Sequence, residues 1–214
     1  MRRKPSSLVC KTVSTPWQVT VFPDSAFRAQ EPDCLTIRAA LVLVNSRSFF
    51  PRGGPAGVLE FYHRKQTQVC RSTCSAELSA VDDGTSHGLV MQCSIVAVLH
   101  GPLSAVSLQQ LMEGGSLPVP WEIVTDNQGM FSSVSAERLN VPTEPHLLYL
   151  LRSFRDRLDA GTVQALWWID TRDMISDALT KGGLNRQPLL DLWKKAVHLL
   201  VGDEPKCFKV ASRS

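Results

Sequence analysis

Residues 163–181 read VQALWWIDTRDMISDALTK, and this stretch joins one strand to one helix. Val163–Ile169 is short, apolar and aromatic, which predicts a buried β-strand. Thr171–Lys181 has helical composition and is followed by Gly182 and Gly183, which favours a helix that ends there. A strand that runs directly into a helix is typical of α/β proteins.

The same alternation continues towards the N-terminus. Trp121–Thr125 (WEIVT) predicts a short strand, and Asp126 follows it directly. Pro145–Leu158 is the clearest helix, because its leucines recur at helical spacing and a proline suits the first turn. Shorter helices are predicted around Leu103–Met112 and Met130–Leu139.

The N-terminal half predicts strands followed by one long helix. The strands are expected at Trp17–Pro23, Thr36–Val44 and Gly57–His63, joined by turns into an antiparallel meander. Ser72 begins a helical segment that continues to about Leu99. A last helix is predicted over Leu189–Val201. The fold class is therefore α/β, with a five-stranded mixed sheet flanked by helices.

Length and composition predict one main domain. The 214 residues suffice for a sizeable core, expected at 16–185, with a disordered basic lead-in over 1–15 and a C-terminal helix and loose tail over 186–214. The net charge of +3 neither requires nor excludes a nucleic-acid partner. Without a signal peptide or a stretch long enough to span a membrane, an intracellular location in cytoplasm or nucleus is expected.

Four acids fall at chemically suggestive places on this scaffold. Asp24 ends the first strand, Glu77 lies in the first turn of the first long helix, Asp126 follows the fourth strand and Asp177 lies in the helix after the fifth. Carboxyl ends of strands and adjoining helix starts gather at one sheet edge. Converging carboxylates raise one another's pKa, and a divalent cation such as Mg²⁺ removes that cost. Considered singly, each acid has a simpler alternative as a surface or capping residue.

Four sequence blocks surround these acids. They are Phe22–Phe27 (FPDSAF), Lys65–Glu77 (KQTQVCRSTCSAE), Val124–Gly129 (VTDNQG) and Trp168–Lys181 (WIDTRDMISDALTK). In this order they resemble the "DASF", "KQ…SSTEAE", "TDNQGA" and "PTEDQLADILTK" blocks of the ribonuclease H domain in Copia-type retrotransposon Pol polyproteins. The last block is the most specific, because its acid and the "LTK" ending occur together after a strand.

The resemblance implies a ribonuclease H-like fold with its first three strands antiparallel. It implies that Asp24, Glu77, Asp126 and Asp177 are catalytic and bind two Mg²⁺ or Mn²⁺ ions. Such a pair of ions activates the attacking water and stabilises the leaving oxygen of a phosphodiester. The implied substrate is the RNA strand of an RNA–DNA hybrid, and a reverse transcriptase domain encoded elsewhere is a candidate partner.

Substrate-binding candidates lie beside the acids. A hybrid is recognised mainly through backbone shape and phosphates, which favours Lys65, Arg71 and Lys181, with Asn127 next to Asp126. Each of these charges has a solvated surface position as its alternative. His146 is a further candidate for assisting the site, with an exposed helix position as the alternative.

Two other functions remain open at this stage. A catalytically inactive descendant could keep the fold and bind nucleic acid or a protein partner. A polynucleotidyl transferase of the integrase or transposase kind shares the fold, but those enzymes carry a helix glutamate as their third acid and lack the "LTK" ending.

Overall fold

The computed structural model describes residues 13–27, 36–67, 70–114, 118–139, 142, 144–181 and 186–210, except for the side chains of 111–114. Most of the predicted basic lead-in therefore lies outside the described residues. The predicted division of the chain into segments stays a prediction.

A mixed sheet forms the centre of the molecule. Its strands are β1 (Trp17–Ala26), β2 (Ile37–Ser46), β3 (Gly53–Lys65), β4 (Trp121–Thr125), β5 (Ala165–Trp168), β6 (Val197–Leu199) and β7 (Lys206–Phe208). Their order across the sheet is β6-β3-β2-β1-β4-β5-β7. The first three strands are antiparallel, as predicted, whereas β4 runs parallel to both β1 and β5.

The sheet has seven strands where five were predicted. Strand β6 pairs with Gly53–Pro55 of β3, and β7 pairs with Leu166–Trp168 of β5, both antiparallel. The helix predicted over Leu189–Val201 was wrong in its second half, because Ala196 adopts a left-handed φ of 50° and the chain returns as β6. The tail from Gly202, predicted to be loose, contains β7. Three-residue strands are too short to show a recognisable alternation.

Six α-helices accompany the sheet in the described residues. They are α1 (Thr73–His100), α2 (Ala105–Gly114), α3 (Gln128–Ser135), α4 (Leu147–Asp159), α5 (Asp177–Thr180) and α6 (Gln187–Lys195). Helix α1 begins as predicted after Ser72, whose hydroxyl accepts a hydrogen bond from the Ser75 backbone N–H at 3.1 Å. Within these ranges no helix combines the length and apolar character that crossing a membrane requires.

The helix predicted over Thr171–Lys181 is interrupted. The structure has a 3₁₀ turn over Thr171–Asp173 and then the single turn of α5. Both carboxylate oxygens of Asp173 accept hydrogen bonds from the backbone N–H groups of Val201 and Gly202, at 2.8 and 2.9 Å. This contact with a distant segment holds Asp173 outside a regular helix, so tertiary structure overrides local propensity.

Helices cover both faces of the sheet. On one face, α1 and α4 pack against Val21, Trp121 and Ile123. A Cβ atom on Gly88 of α1 would lie 2.7 Å from the Trp121 ring, so α1 approaches the sheet at this glycine more closely than a larger residue allows. On the other face, the 3₁₀–α5 segment and α6 pack against a separate cluster that includes Phe22 of β1. The end of β1 therefore lies between two helical layers.

Candidate metal centre

Three of the predicted acids meet at the carboxyl ends of β1 and β4. Asp24 lies in β1, Asp126 directly follows β4 and Glu77 comes from the first turns of α1. One carboxylate oxygen from each of the three lies within 4.8 Å of the others. We call Asp24, Glu77 and Asp126 the acidic triad. Because β1 and β4 are parallel neighbours, their acids lie at the same edge of the sheet.

Hydroxyl groups hold the two buried acids of the triad. Neighbouring residues of a strand point to opposite faces, so Ser25 faces α1 while Asp24 faces α5. The Ser25 hydroxyl donates to Glu77 Oε1 at 3.0 Å, and the Thr180 hydroxyl donates to Asp24 Oδ2. Both hydroxyls are buried, so each fixes the orientation of one carboxylate.

Asp126 is partly exposed, and its backbone is held by the end of β5. The indole N–H of Trp168 donates to the Asp126 backbone carbonyl at 3.0 Å, and the Thr171 side chain lowers the pKa of the Asp126 carboxyl. The loop after β4 is therefore tied to the end of β5.

Asp177 is the first residue of α5 and is buried beside the triad. Its charge acts on both Asp24 and Asp126. The ammonium group of Lys181, one turn later, contacts Asp177 Oδ1 at 2.5 Å and lies 3.7 Å from Asp24 Oδ1. All four predicted acids therefore occupy one region, with a lysine on the Asp177 side.

Burial and mutual repulsion raise the pKa values of the triad. Burial, followed by the neighbouring Asp177, raises the pKa of Asp24 to about 7. Burial, followed by Asp24 and Asp126, raises the pKa of Glu77 to about 9. The pKa of Asp126 is raised as well, chiefly by burial and then by Asp177. A bound cation would favour the charged forms and so reverse these shifts.

The donor set fits a hard divalent cation. Asp24 Oδ1 is buried without a hydrogen-bond partner, which is costly for a carboxylate oxygen unless a cation completes its coordination. Three oxygens that bind one Mg²⁺ ion at about 2.1 Å lie about 3–4 Å apart. The triad oxygens, which lie within 4.8 Å of one another, therefore need to move closer by up to about 2 Å to coordinate one ion.

Of the four substrate-binding candidates, two are exposed, one caps a helix and one faces the acids. Lys65 at the end of β3 and Arg71 just before α1 are exposed. Asn127 caps α3, since its side-chain oxygen accepts from the Met130 backbone N–H at 2.9 Å. Lys181 faces the acids. These four roles stay predictions.

His146 is exposed and lies 3.7 Å from Glu144, whose other oxygen accepts a hydrogen bond from the Ser72 hydroxyl. It thus pairs with an acid outside the triad, and its part in the site stays a prediction.

Sequence reasoning did not identify Ser25, Thr171 and Thr180 as supporting residues. The sequence signal that could have identified them was their position: Ser25 directly follows Asp24, Thr180 lies in the LTK ending, and Thr171 lies in the turn after β5. That signal is weak, because serine and threonine next to an acid are common in turns and helix ends.

No protein-family model matches the chain, and no curated protein matches it. Among solved structures, LC11-RNase H1 in complex with an RNA/DNA hybrid is similar with a TM-score of 0.48 and 9% identity, over 76% of this chain and 93% of that chain. The prototype foamy virus protease-reverse transcriptase has a TM-score of 0.38 and 11% identity, over 89% of this chain and 22% of that chain. The NurA nuclease from Sulfolobus solfataricus has a TM-score of 0.29 and 11% identity, over 88% and 56% of the two chains. At these TM-scores, function has to be inferred from the chain's own residues.

Proposed function

We propose that this chain is a metal-dependent endonuclease that hydrolyses the RNA strand of RNA–DNA hybrids. The observation that carries the proposal is the convergence of Asp24, Glu77 and Asp126, which are far apart in sequence, to within 4.8 Å at one sheet edge. Three mutually repelling acids at one place are costly to a fold, and a bound divalent cation offsets that cost.

Each residue of the site has a defined task in this proposal. Asp24, Glu77 and Asp126 hold Mg²⁺ or Mn²⁺, with Asp177 beside them. When bound, the cation stabilises negative charge on phosphate oxygens and makes water a better nucleophile. Ser25 and Thr180 orient the two buried carboxylates, so that their oxygens are already directed towards the ion.

The choice of a hybrid as substrate rests on the sequence blocks. Each acid lies within a block that resembles the Copia-type ribonuclease H domain, and the acidic triad supports metal-assisted phosphodiester chemistry. The exposed charges of Lys65 and Arg71 suit contacts with phosphates, which predicts weak and salt-sensitive binding without sequence specificity. A retrotransposon origin, two metal ions, a separately encoded reverse transcriptase partner and an intracellular location belong to the same proposal.

Cleavage of a defined substrate tests this function. The wild-type protein and the Asp126→Asn variant are incubated with an RNA–DNA hybrid labelled on the RNA strand, with Mg²⁺ or Mn²⁺ and at several salt concentrations. Single-stranded RNA, double-stranded RNA and double-stranded DNA serve as comparison substrates. Asp156→Asn is the matched control, because the Asp156 carboxylate is exposed and paired with Arg152 on α4.

The proposal predicts cleavage of the hybrid's RNA strand by wild type and Asp156→Asn, abolished by EDTA. Asp126→Asn should be slower by at least about a hundredfold. Absence of cleavage by the folded wild-type protein under every condition would contradict the nuclease function. Hybrid binding that persists without cleavage would instead support the inactive binding module.

A further inference from the structure

A lysine ammonium group lies inside the cluster of acids. Lys181 Nζ contacts Asp177 Oδ1 at 2.5 Å and lies 3.7 Å from Asp24 Oδ1. Its side chain is 36% exposed, so a substantial part of it is withdrawn from water. Lys181 therefore neutralises negative charge between two of the four acids.

The acids divide into two overlapping groups. Asp24, Glu77 and Asp126 are close enough to share one cation, whereas Asp177 is not a member of that group. Asp24 and Asp177 instead share the ammonium of Lys181. Asp24 thus belongs to both groups. A carboxylate shared by two groups in this way is suited to bridge two adjacent cations. Here the ammonium group of Lys181 lies between Asp24 and Asp177, where the second cation would bind.

We propose that Lys181 occupies the place of the second of the two divalent cations as long as no substrate is bound, so that the free protein binds one ion, at the acidic triad. A second divalent ion between Asp24 and Asp177 would have to displace the ammonium or lie against it, and like charges at such distances repel strongly. This inference depends on the proposed function in one respect, namely that the triad binds a divalent ion.

A second lysine–aspartate pair provides a matched comparison. Lys195 contacts Asp191 at 3.1 Å with the same spacing of four residues, on helix α6. The Lys195 side chain is 64% exposed, and neither residue of this pair belongs to the acidic triad. Removing Lys195 changes one exposed ion pair without changing the acidic cluster.

Isothermal titration with Mn²⁺ and Mg²⁺, without nucleic acid, tests the inference. The proteins are wild type, Lys181→Gln, Lys181→Arg and Lys195→Gln, each checked for folding by circular dichroism. We expect one ion per chain for wild type, Lys181→Arg and Lys195→Gln. We expect two ions per chain for Lys181→Gln, because the space between Asp24 and Asp177 is then open to a cation.

Two results would overturn the inference. One is a wild-type protein that binds two ions with comparable affinity; this measurement needs no variant and so decides the question even if Lys181→Gln does not fold. The other is a folded Lys181→Gln that still binds one ion with wild-type affinity. Failure of the folded wild-type protein to bind any ion would contradict the proposed function, and is distinguishable from both.

Discussion

Asp24 and Ser25 are neighbours in β1, and their side chains make hydrogen bonds on opposite faces of the sheet. Asp24 accepts from Thr180 on one side of the sheet, while Ser25 donates to Glu77 on the other. Because successive side chains of a strand point to opposite faces, one of these two residues faces α5 and the other faces α1. The position of Asp24 at a strand end could be predicted from sequence. Its contact with Thr180 could not, because the two residues are 156 positions apart.

The raised pKa values predict how metal-free stability depends on pH. The pKa of Asp24 rises from 3.8 to about 7 and that of Glu77 from 4.5 to about 9. Between these values the folded state therefore keeps protons that the unfolded state has released. The free energy of unfolding should therefore fall as pH rises from about 4 towards 9, and change little from these groups below about 4. Urea denaturation in EDTA at about pH 5 and about pH 8 measures this.

Saturating Mg²⁺ should restore much of the stability that the metal-free protein loses as pH rises, because a bound cation favours the ionised acids. Asp24→Asn should be more stable than wild type at about pH 8 without metal, whereas the exposed Asp156→Asn should match wild type. A metal-free wild-type protein that becomes more stable over this pH range would contradict the electrostatic account.

Thr180→Val tests the positioning of Asp24. The variant keeps the shape of the side chain but removes the hydroxyl that donates to Asp24 Oδ2. We expect Mn²⁺ affinity, measured by titration calorimetry, to fall by about tenfold. Thr85→Val is the control, since the buried Thr85 hydroxyl donates to the Val81 carbonyl within α1. Equal affinities for the two variants would argue against a positioning role for Thr180.

Two helical segments show where local sequence suffices and where it fails. Helix α1 was predictable from Ser72 and its helical composition, although Glu77, predicted in the first turn, lies in the second. The segment 171–181 was predicted as one helix and is broken. The cause is the pair of hydrogen bonds from Val201 and Gly202 to Asp173, made by residues nearly thirty positions later. No local pattern contains that information.

Gly88→Ala tests the close approach of α1 to the sheet. The added methyl group would lie 2.7 Å from the Trp121 ring, so helix or ring must shift. We expect the free energy of unfolding to fall by about 1–3 kcal/mol despite the better helix propensity of alanine. Gly129→Ala in α3 is the comparison, where the nearest atom is the Asn127 side-chain oxygen at 3.3 Å. Urea denaturation in which Gly88→Ala is as stable as wild type would contradict this packing.

At the scale of the whole molecule, the sheet is extended at both edges by residues near the C-terminus. Strand β7 is attached to β5 through antiparallel backbone pairing. Phe208 packs against the core with the Arg155 guanidinium 4.8 Å from its ring centre, and Lys209 lies 3.5 Å from the buried Glu122. Local sequence did not predict β7, because these partners come from α4 and β4, which are distant in sequence.

Phe208→Ala tests whether β7 contributes to the stability of the fold. The loss of a partly buried ring should lower the free energy of unfolding by about 1–2 kcal/mol and increase hydrogen exchange in β5. Cys207→Ala is the matched control in the same strand, because Cys207 is exposed. Equal stability of the two variants would indicate that β7 adds little to the fold.

The central claim is that Asp24, Glu77 and Asp126 together bind a divalent cation. The most direct measurement is anomalous diffraction from crystals of the wild-type protein soaked in Mn²⁺. The account predicts a peak within roughly 2.5 Å of a carboxylate oxygen from each of these residues, and its loss in Asp126→Asn. A wild-type structure in which these acids remain without a metal peak, at Mn²⁺ concentrations that occupy other sites, would contradict it.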